Sequence, residues 1–494
     1  MALESKPLQE TNVLPPRHQA WWHQQTMKIV PITKCLLTAT LGLVLAGCFS
    51  LGPDYESPKW DGPEAWSSDA PAGTPLPDGA PWWSVFNDPV LDALEAKLIA
   101  QNPSLAATVA RLDAAAAQLG IARADYAPSL ALSGSANYDR QTGEVRTSTK
   151  YPHNPDWLYQ PGASFQWELD FWGRVRRNVE SASAEFTASA EDVRSSRLIL
   201  TASLATYYLN LRTLQTRLDY ARKNVELQTK TLEFIRNRNE TGLSSELDLR
   251  QAEMNLASTR ATIPLLEAQI DSILNSICTL VGGYPGSQDA LRTFAAIPLP
   301  DDAVLPASLP ADLLRNRPDV AAAAHRIHAA VASIGAAKAE YFPKISINGS
   351  FAFSATGTKK LFTKNAQNYS IGPSVEWSIF TAGRISNQVR AAEADARAAE
   401  ADFREAVLTA AAECETALSS HRAANAAIKD LRDAVTAAEK AVELVESQYR
   451  SGLTDFQNVL DMQQQLSSNQ DSLARGLGAA ASALVDVWQS FGTP

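Results

Sequence analysis

The sequence predicts a membrane α+β protein whose strands close into a barrel only when several copies of the chain unite, with long helices continuing that barrel outside the bilayer. Three observations carry this reading. One plan is repeated twice along the chain. Each copy holds two strand-like runs of period two, and each then enters a long stretch, residues 174–241 and 384–451, that contains neither Gly nor Pro.

Composition narrows the class. The chain has 494 residues, 45% hydrophobic and 20% charged, so it is neither collagen-like nor disordered. With 4 Cys it is no disulfide scaffold, and a net charge of −10 argues against nucleic acid as a partner, because phosphate binding needs clustered Lys and Arg. Beyond the first fifty residues no run of eighteen apolar residues occurs, which predicts no membrane-spanning helix; any entry into a bilayer uses strands.

Residues 1–26 are polar and carry no periodicity, whereas Met27 opens a secretory signal with Lys28 and Lys34 before an apolar run from Leu36 to Leu45. Met27 is therefore the expected start. Leu45-Ala46-Gly47-Cys48 resembles the bacterial lipoprotein box, which marks Cys48 for an S-diacylglycerol and an N-acyl chain. Phe49 follows in place of the aspartate associated with inner-membrane retention, favouring outer-membrane delivery. Cys278 and Cys414 remain, expected as small buried hydrophobes, with a disulfide between them unsupported by any spacing.

The repeat is read from fixed offsets. Asn102-Pro103 and Arg317-Pro318, Tyr126 and Tyr341, and Pro128 and Pro343 are 215 apart; Trp167 and Trp377, Gly173-Arg174 and Gly383-Arg384, and Gly242-Leu243 and Gly452-Leu453 are 210 apart. The difference falls between the two strand-like runs, where a loop absorbs it.

Leu130, Leu132, Gly134, Ala136 and Tyr138 alternate with Ser and Asn, and Ala163, Phe165, Trp167 and Leu169 alternate with Ser164, Gln166 and Glu168. In the second copy Ile345, Ile347, Gly349, Phe351 and Phe353 form one face, followed by Tyr369, Ile371, Val375, Trp377 and Ile379. Such strands have one apolar and one wet face. A half-buried sheet in a soluble domain gives the same pattern; the secretion signal and the aromatics favour a transmembrane barrel.

At ~1.5 Å per residue each uninterrupted stretch makes a helix of about 100 Å. Heptads run through both, with Leu204, Leu211, Leu218, Val225 and Leu232 at one seam position and Tyr207, Leu214, Ala221 and Ile235 at the other. Return helices follow Gly242 and Gly452, the first expected to kink at Pro264. The organisation is thus a leader over 1–47, a lipidated segment over 48–86, a first repeat over 87–282, a linker over 283–304 and a second repeat over 305–494. The first repeat holds strands at about 128–140 and 159–172, a long helix over 174–241 and a return helix over 245–281. The second holds strands at about 343–355 and 368–381 and helices over 384–451 and 455–491.

Four strands cannot close a barrel, and open edges in lipid leave amides unpaired at several kcal/mol each. Two chains supply eight strands and three supply twelve; periodicity alone does not choose. A hollow cylinder lined by Ser, Asn, Gln and Glu is a conduit, with no chemistry required.

The chain resembles the TolC-like outer-membrane efflux proteins, in their lipoprotein (NodT-like) branch. The resemblance is carried by Gly52-Pro53-Asp54-Tyr55, Trp82-Trp83 with Phe86, Asp88 and Pro89, and Arg317-Pro318-Asp319. Ala339-Glu340-Tyr341-Phe342-Pro343 and Glu168-Leu169-Asp170-Phe171-Trp172-Gly173-Arg174 complete it. It implies a homotrimer in which a twelve-strand barrel runs into a twelve-helix periplasmic tunnel with a mixed equatorial belt. It also implies docking to a periplasmic adaptor (membrane fusion protein) and an inner-membrane pump of the resistance-nodulation-division (RND) type. No cofactor is implied beyond the Cys48 lipid. The tunnel closes near its tip turns, here Gly242-Leu243 and Gly452-Leu453, which also serve as adaptor-docking candidates. Tyr449 and Asp461 match the tip tyrosine and aspartate, and Asp248 the aspartate after the first turn; Asn458 stands where some relatives carry a further aspartate, and Arg450 substitutes for a tip arginine. The competing explanation for Asp461 is a charge placed near a helix start to suit the dipole.

His325 and His328 share a helical face without a third metal ligand and are expected at a surface or interface. Glu168 and Asp170 are expected to face water from their strand, and no constellation for catalysis stands in a suitable setting. The alternative functions are a periplasmic adaptor, which needs one hairpin and a compact β domain, and a structural coiled-coil lipoprotein, which does not need Trp-bearing strands.

Overall fold

The computed structural model describes residues 50–59, 62–66, 80–139, 156–300, 305–306, 310–312 and 316–492. The leader and Cys48 lie outside the described residues. Helices α1 (Pro89–Gln101) and α2 (Pro103–Ala124) lead to strands β1 (Ser129–Asp139) and β2 (Asp156–Leu169), then to α3 (Arg174–Glu240) and α4 (Glu246–Leu280). The second copy follows as α5 (Pro318–Ala339), β3 (Lys344–Phe353), β4 (Gln367–Glu376), α6 (Arg384–Arg450) and α7 (Phe456–Ser490).

The strands form one antiparallel sheet in the order β1-β2-β3-β4, so β2 and β3 join the two repeats and β1 and β4 are open edges. The register stacks apolar residues on one face in rows: Leu130, Phe165, Gly349 and Ile371; Leu132, Ala163, Phe351 and Tyr369; Leu169, Ile345 and Val375. The opposite face carries Ser129, Gln166 and Asn348, then Ser164, Ser350 and Ser370. Among the described residues nothing covers the apolar rows: Leu132 is 85% exposed, Tyr369 78% and Ile371 77%. A soluble half-buried sheet would hide these side chains, since each stabilises by about 1.5–3 kcal/mol when buried.

Aromatic residues mark both ends of the rows. At one end Tyr138 and Trp157 lie 5.4 Å apart, centroid to centroid. At the other, the Trp167 indole donates to the Tyr126 carbonyl at 3.0 Å and the Trp377 indole to the Tyr341 carbonyl at 3.0 Å, the same device in both copies. Rings of this amphipathic kind sit at bilayer interfaces. Strand β2 starts at Asp156, ahead of the expected 159, and β4 ends at Glu376, short of the expected 381. Trp377 and Ile379 therefore lie beyond the ladder.

The two uninterrupted stretches are single helices, because nothing in 67 residues of either removes a backbone donor or relaxes φ. Helix α3 packs against α2, α4, α5 and α7, and α6 packs against α5 and α7. Pro264 lies inside α4, which continues to Leu280. Each shorter pair is joined end to end. The Asn102 amide donates to the Leu280 carbonyl at 2.7 Å, uniting α4 with α2, and Arg317 Nη1 donates to the Ser490 carbonyl at 2.9 Å, uniting α7 with α5. One chain thus supplies four helical columns.

The main core lies at mid-height of the long helices. Trp82, Trp83, Phe86, Leu91, Leu94 and Leu98 pack there on Leu204, Tyr208 and Leu211 of α3 and on Leu484 and Trp488 of α7. The Tyr208 hydroxyl donates to Asp88 at 2.5 Å, and burial together with that carboxylate pushes Tyr208 up to about 12. Arg212 and Gln215 hold the Leu291 and Thr293 carbonyls of the inter-repeat connection. Glu95 is fully buried in the same layer with no hydrogen bond to either oxygen; burial, with Asp92 adding and Arg197 opposing, raises its carboxyl to about 9.

Three expectations change. Tyr207 is 38% exposed and Tyr208 takes the buried place, because a straight helix drifts ~20° per heptad from an ideal seam and the mid-height core recruits the next residue. Pro103–Ala124 is long and apolar enough to cross a membrane by length and composition, at a mean hydropathy of 1.2. Its alanines supply that value, and it packs along α3. Glu168 and Asp170 do not simply face water: Glu168 accepts a two-pronged hydrogen bond from Arg174, and Asp170 accepts from the Val175 and Arg176 amides, capping α3. As expected, Cys278 and Cys414 are free and buried, and the Cys414 thiol donates to the Ser490 carbonyl at 3.1 Å.

Candidate functional site

Two regions matter: the junction below the sheet and the tips of the helical hairpins. At the junction the segment after Phe49 is strapped to the start of α3. The Leu51 amide donates to the Trp172 carbonyl at 3.4 Å, and Arg177 donates to the Leu51 carbonyl at 3.1 Å and pairs with Asp54 at 2.7 Å and Glu180 at 2.9 Å. Glu180 also takes His328 at 2.9 Å, and the His328 ring stacks on Tyr55 at 4.4 Å and 9°. His328 is thus tied up in this strap rather than offered to a metal. Gly173 lies against Ser50, so close that an added β-carbon would stand 3.0 Å from the Ser50 Cα. The Trp172 indole meanwhile donates to the Pro343 carbonyl at 2.8 Å, tying the two repeats at the base of the sheet.

At the far end both long helices stop the same way. The Gly242 amide donates to the Asn239 carbonyl and that of Leu243 to Arg238; Gly452 donates to Tyr449 and Leu453 to Gln448. These paired bonds need a left-handed residue, and Gly242 at φ 74° and Gly452 at φ 73° supply it without a Cβ clash. The turns leave Leu243 67% and Leu453 77% exposed.

Above the turns Leu232, Ile235, Leu256, Val445, Phe456, Val459 and Leu460 form a small core. Tyr449 sits against it, 5.4 Å from the Phe456 ring and 6.3 Å from Phe234. Arg450 lies 5.7 Å over Phe234 and 3.7 Å from Glu446. Asp248 is committed to a capping box: it accepts from the Ser245 amide and the Ser244 hydroxyl, while its own amide donates to the Ser245 hydroxyl. Asn458 donates to the Thr454 hydroxyl at 2.8 Å. Asp461 is exposed and accepts from Gln457 at 2.7 Å. Because α7 starts at Phe456, Asp461 stands beyond the first turn, where a dipole no longer explains its charge. Neither Asp248 nor Asp461 hydrogen-bonds to the Tyr449 cluster among the described residues. Phe234 and Arg238, whose guanidinium carbon lies 5.4 Å from the Tyr449 ring centroid, escape a reading based on the second repeat, whose equivalents are Leu444 and Gln448. Their signal is an aromatic–Arg pair at i, i+4 in the last turns of α3.

A chain with one uncovered greasy sheet and long helical columns has known counterparts. The profile described as outer membrane efflux protein matches residues 94–283 and 309–493. The chain belongs to this family. Nodulation protein T of Rhizobium leguminosarum bv. trifolii is 30% identical over 440 residues, covering 89% of this chain and 93% of that protein. Outer membrane protein OprJ of Pseudomonas aeruginosa is 29% identical over 455 residues, covering 92% and 94%. The solved structure of the outer-membrane channel OprN superposes with a TM-score of 0.83 at 31% identity, covering 90% of this chain and 99% of that one. This outer membrane efflux protein is therefore an exit duct resident in the outer membrane, with its helical columns on the periplasmic side.

Proposed function

We propose that the duct is a homotrimer of twelve strands and twelve helical columns that receives small toxic compounds from an inner-membrane RND pump through a periplasmic adaptor and conducts them passively outward. The observation that carries this is the sheet itself, four strands among the described residues with two open edges and one bare apolar face. Eight strands would leave an interior just wide enough for side chains to fill, so a lumen favours three chains over two. The four columns per chain then give twelve in the tunnel.

Leu243 and Leu453, bare at the tips, suit docking to the adaptor, and Tyr449, Asp461, Asp248, Asn458 and Arg450 surround the proposed closure. A threefold ring of Asp461 carboxylates at a narrow neck would concentrate cations and resist anions. Lipidation of Cys48 belongs to this reading and rests on the lipoprotein box; the described segment begins at Ser50, which rests on Gly173 at the start of α3.

Detergent extraction tests the assembly. A heat-modifiable trimer band is expected, together with drug sensitivity on deletion of the gene. A folded, lipid-free monomer in plain buffer would overturn the reading.

A further inference from the structure

We propose that Arg238 is a closure latch, tying the first hairpin to the second through the face of Tyr449; this rests on the reading of the tips as the gate. The Arg238 guanidinium carbon lies 5.4 Å from the Tyr449 ring centroid and 5.7 Å from that of Phe234. Phe234 meets Tyr449 edge-on at 6.3 Å, and Tyr449 backs onto Phe456 at 5.4 Å. The cation is thus held between one ring from α3 and one from α6.

Its remaining contacts explain why the rings matter. Arg238 donates one hydrogen bond, to the Leu243 carbonyl at 3.3 Å, and its Nε is shut off from water with no acceptor. Among the described residues it has no ion-pair partner. A buried donor without an acceptor is costly, and the electron-rich ring faces are what offset it.

The position gives the contact its consequence. Arg238 is four residues before Gly242 and Tyr449 three before Gly452, so the pair spans the two hairpins within a turn of both tips. Contacts inside one hairpin survive when hairpins separate; this one does not. Because no carboxylate takes part, the latch acts independently of Asp461, whose role is electrostatic.

The test is the conductance of purified protein in planar bilayers, with the heat-modifiable trimer band as the folding control. R238Q and Y449L are each expected to raise the open-to-closed ratio by about tenfold or more when three copies act together. Y449F keeps the ring face and should stay as closed as wild type. The double variant R238Q/Y449L should be no more open than either single one. Wild-type closure in R238Q, equal opening in Y449F and Y449L, or multiplying effects in the double variant would each overturn the latch. The Tyr449 pair decides it even where R238Q fails to assemble. If wild-type protein forms no channel at all, the duct reading falls and the latch with it; a closed wild-type channel that R238Q leaves closed removes the latch alone.

Discussion

Arg317 and Ser490 meet where two helices are spliced: the guanidinium of the residue before α5 donates to the carbonyl of the last residue of α7 at 2.9 Å. In the first copy Asn102 and Leu280 hold the same two places, and there the amide donates to Leu280 while its oxygen accepts from the Leu105 amide, closing both helix ends at once. Arg317 cannot accept, so Asp319 caps the Val320 amide instead and pairs with Arg317 at 2.6 Å, while Glu413 takes the other arm at 2.7 Å. Helix ends leave four donors or acceptors unpaired, and these splices let two short helices run beside one long one without orphaned groups.

Removing the splice should weaken the tunnel unequally. Arg317→Ala leaves Asp319 and Glu413 without their cation and the Ser490 carbonyl with only the Cys414 thiol, and should cost about 3 kcal/mol. Asn102→Ala should cost about 1–2 kcal/mol. Thermal unfolding in detergent measures both. Burial works to raise the Asp319 carboxyl, but the hydrogen bond and charge of Arg317 outweigh it and hold Asp319 below its ordinary 3.8. The contribution is therefore complete above that value and lost as pH falls through the lower folded one.

The sheet has a lipid side that single charges can find. Leu132→Lys places an ammonium on the apolar rows and should cost about 2–4 kcal/mol, whereas Ser133→Lys points to the other face and should be tolerated. Trimer yield and heat-modifiability after membrane insertion distinguish them. Equal tolerance of both would contradict the assignment of faces.

Glu95 predicts an unusual pH profile. With its carboxyl near 9 in the folded chain against 4.5 unfolded, folding takes up a proton at neutral pH. Stability is full below about 4.5 and declines as pH rises towards 9, by at most about 3 kcal/mol at pH 7. Glu95→Gln removes the ionisable group, so melting temperatures of the variant should be flat across that window and exceed wild type at its upper end.

Asp461→Ala should raise the conductance of reconstituted channels by roughly twofold or more and weaken their preference for cations, as loss of a charged ring at a constriction does. Asp248→Ala, whose carboxylate belongs to a cap, should chiefly destabilise the tip, by about 1 kcal/mol. Reversal potentials in a salt gradient separate the two effects.

The sequence by itself determined the repeat, the strands, the long helices and their glycine stops, because periodicity and punctuation are local properties written in neighbouring residues. It did not settle what meets the greasy faces of those strands, since a half-buried sheet in a soluble domain has the same period of two; that the described helices leave these faces bare is a property of the tertiary structure. Only the tertiary structure decided which distant groups meet. That Asn102 and Arg317 are splices, that His328 lies under Tyr55, and that Arg238 reaches Tyr449 are contacts across more than a hundred residues. No period or motif encodes such pairs, because they depend on where whole helices come to rest beside one another.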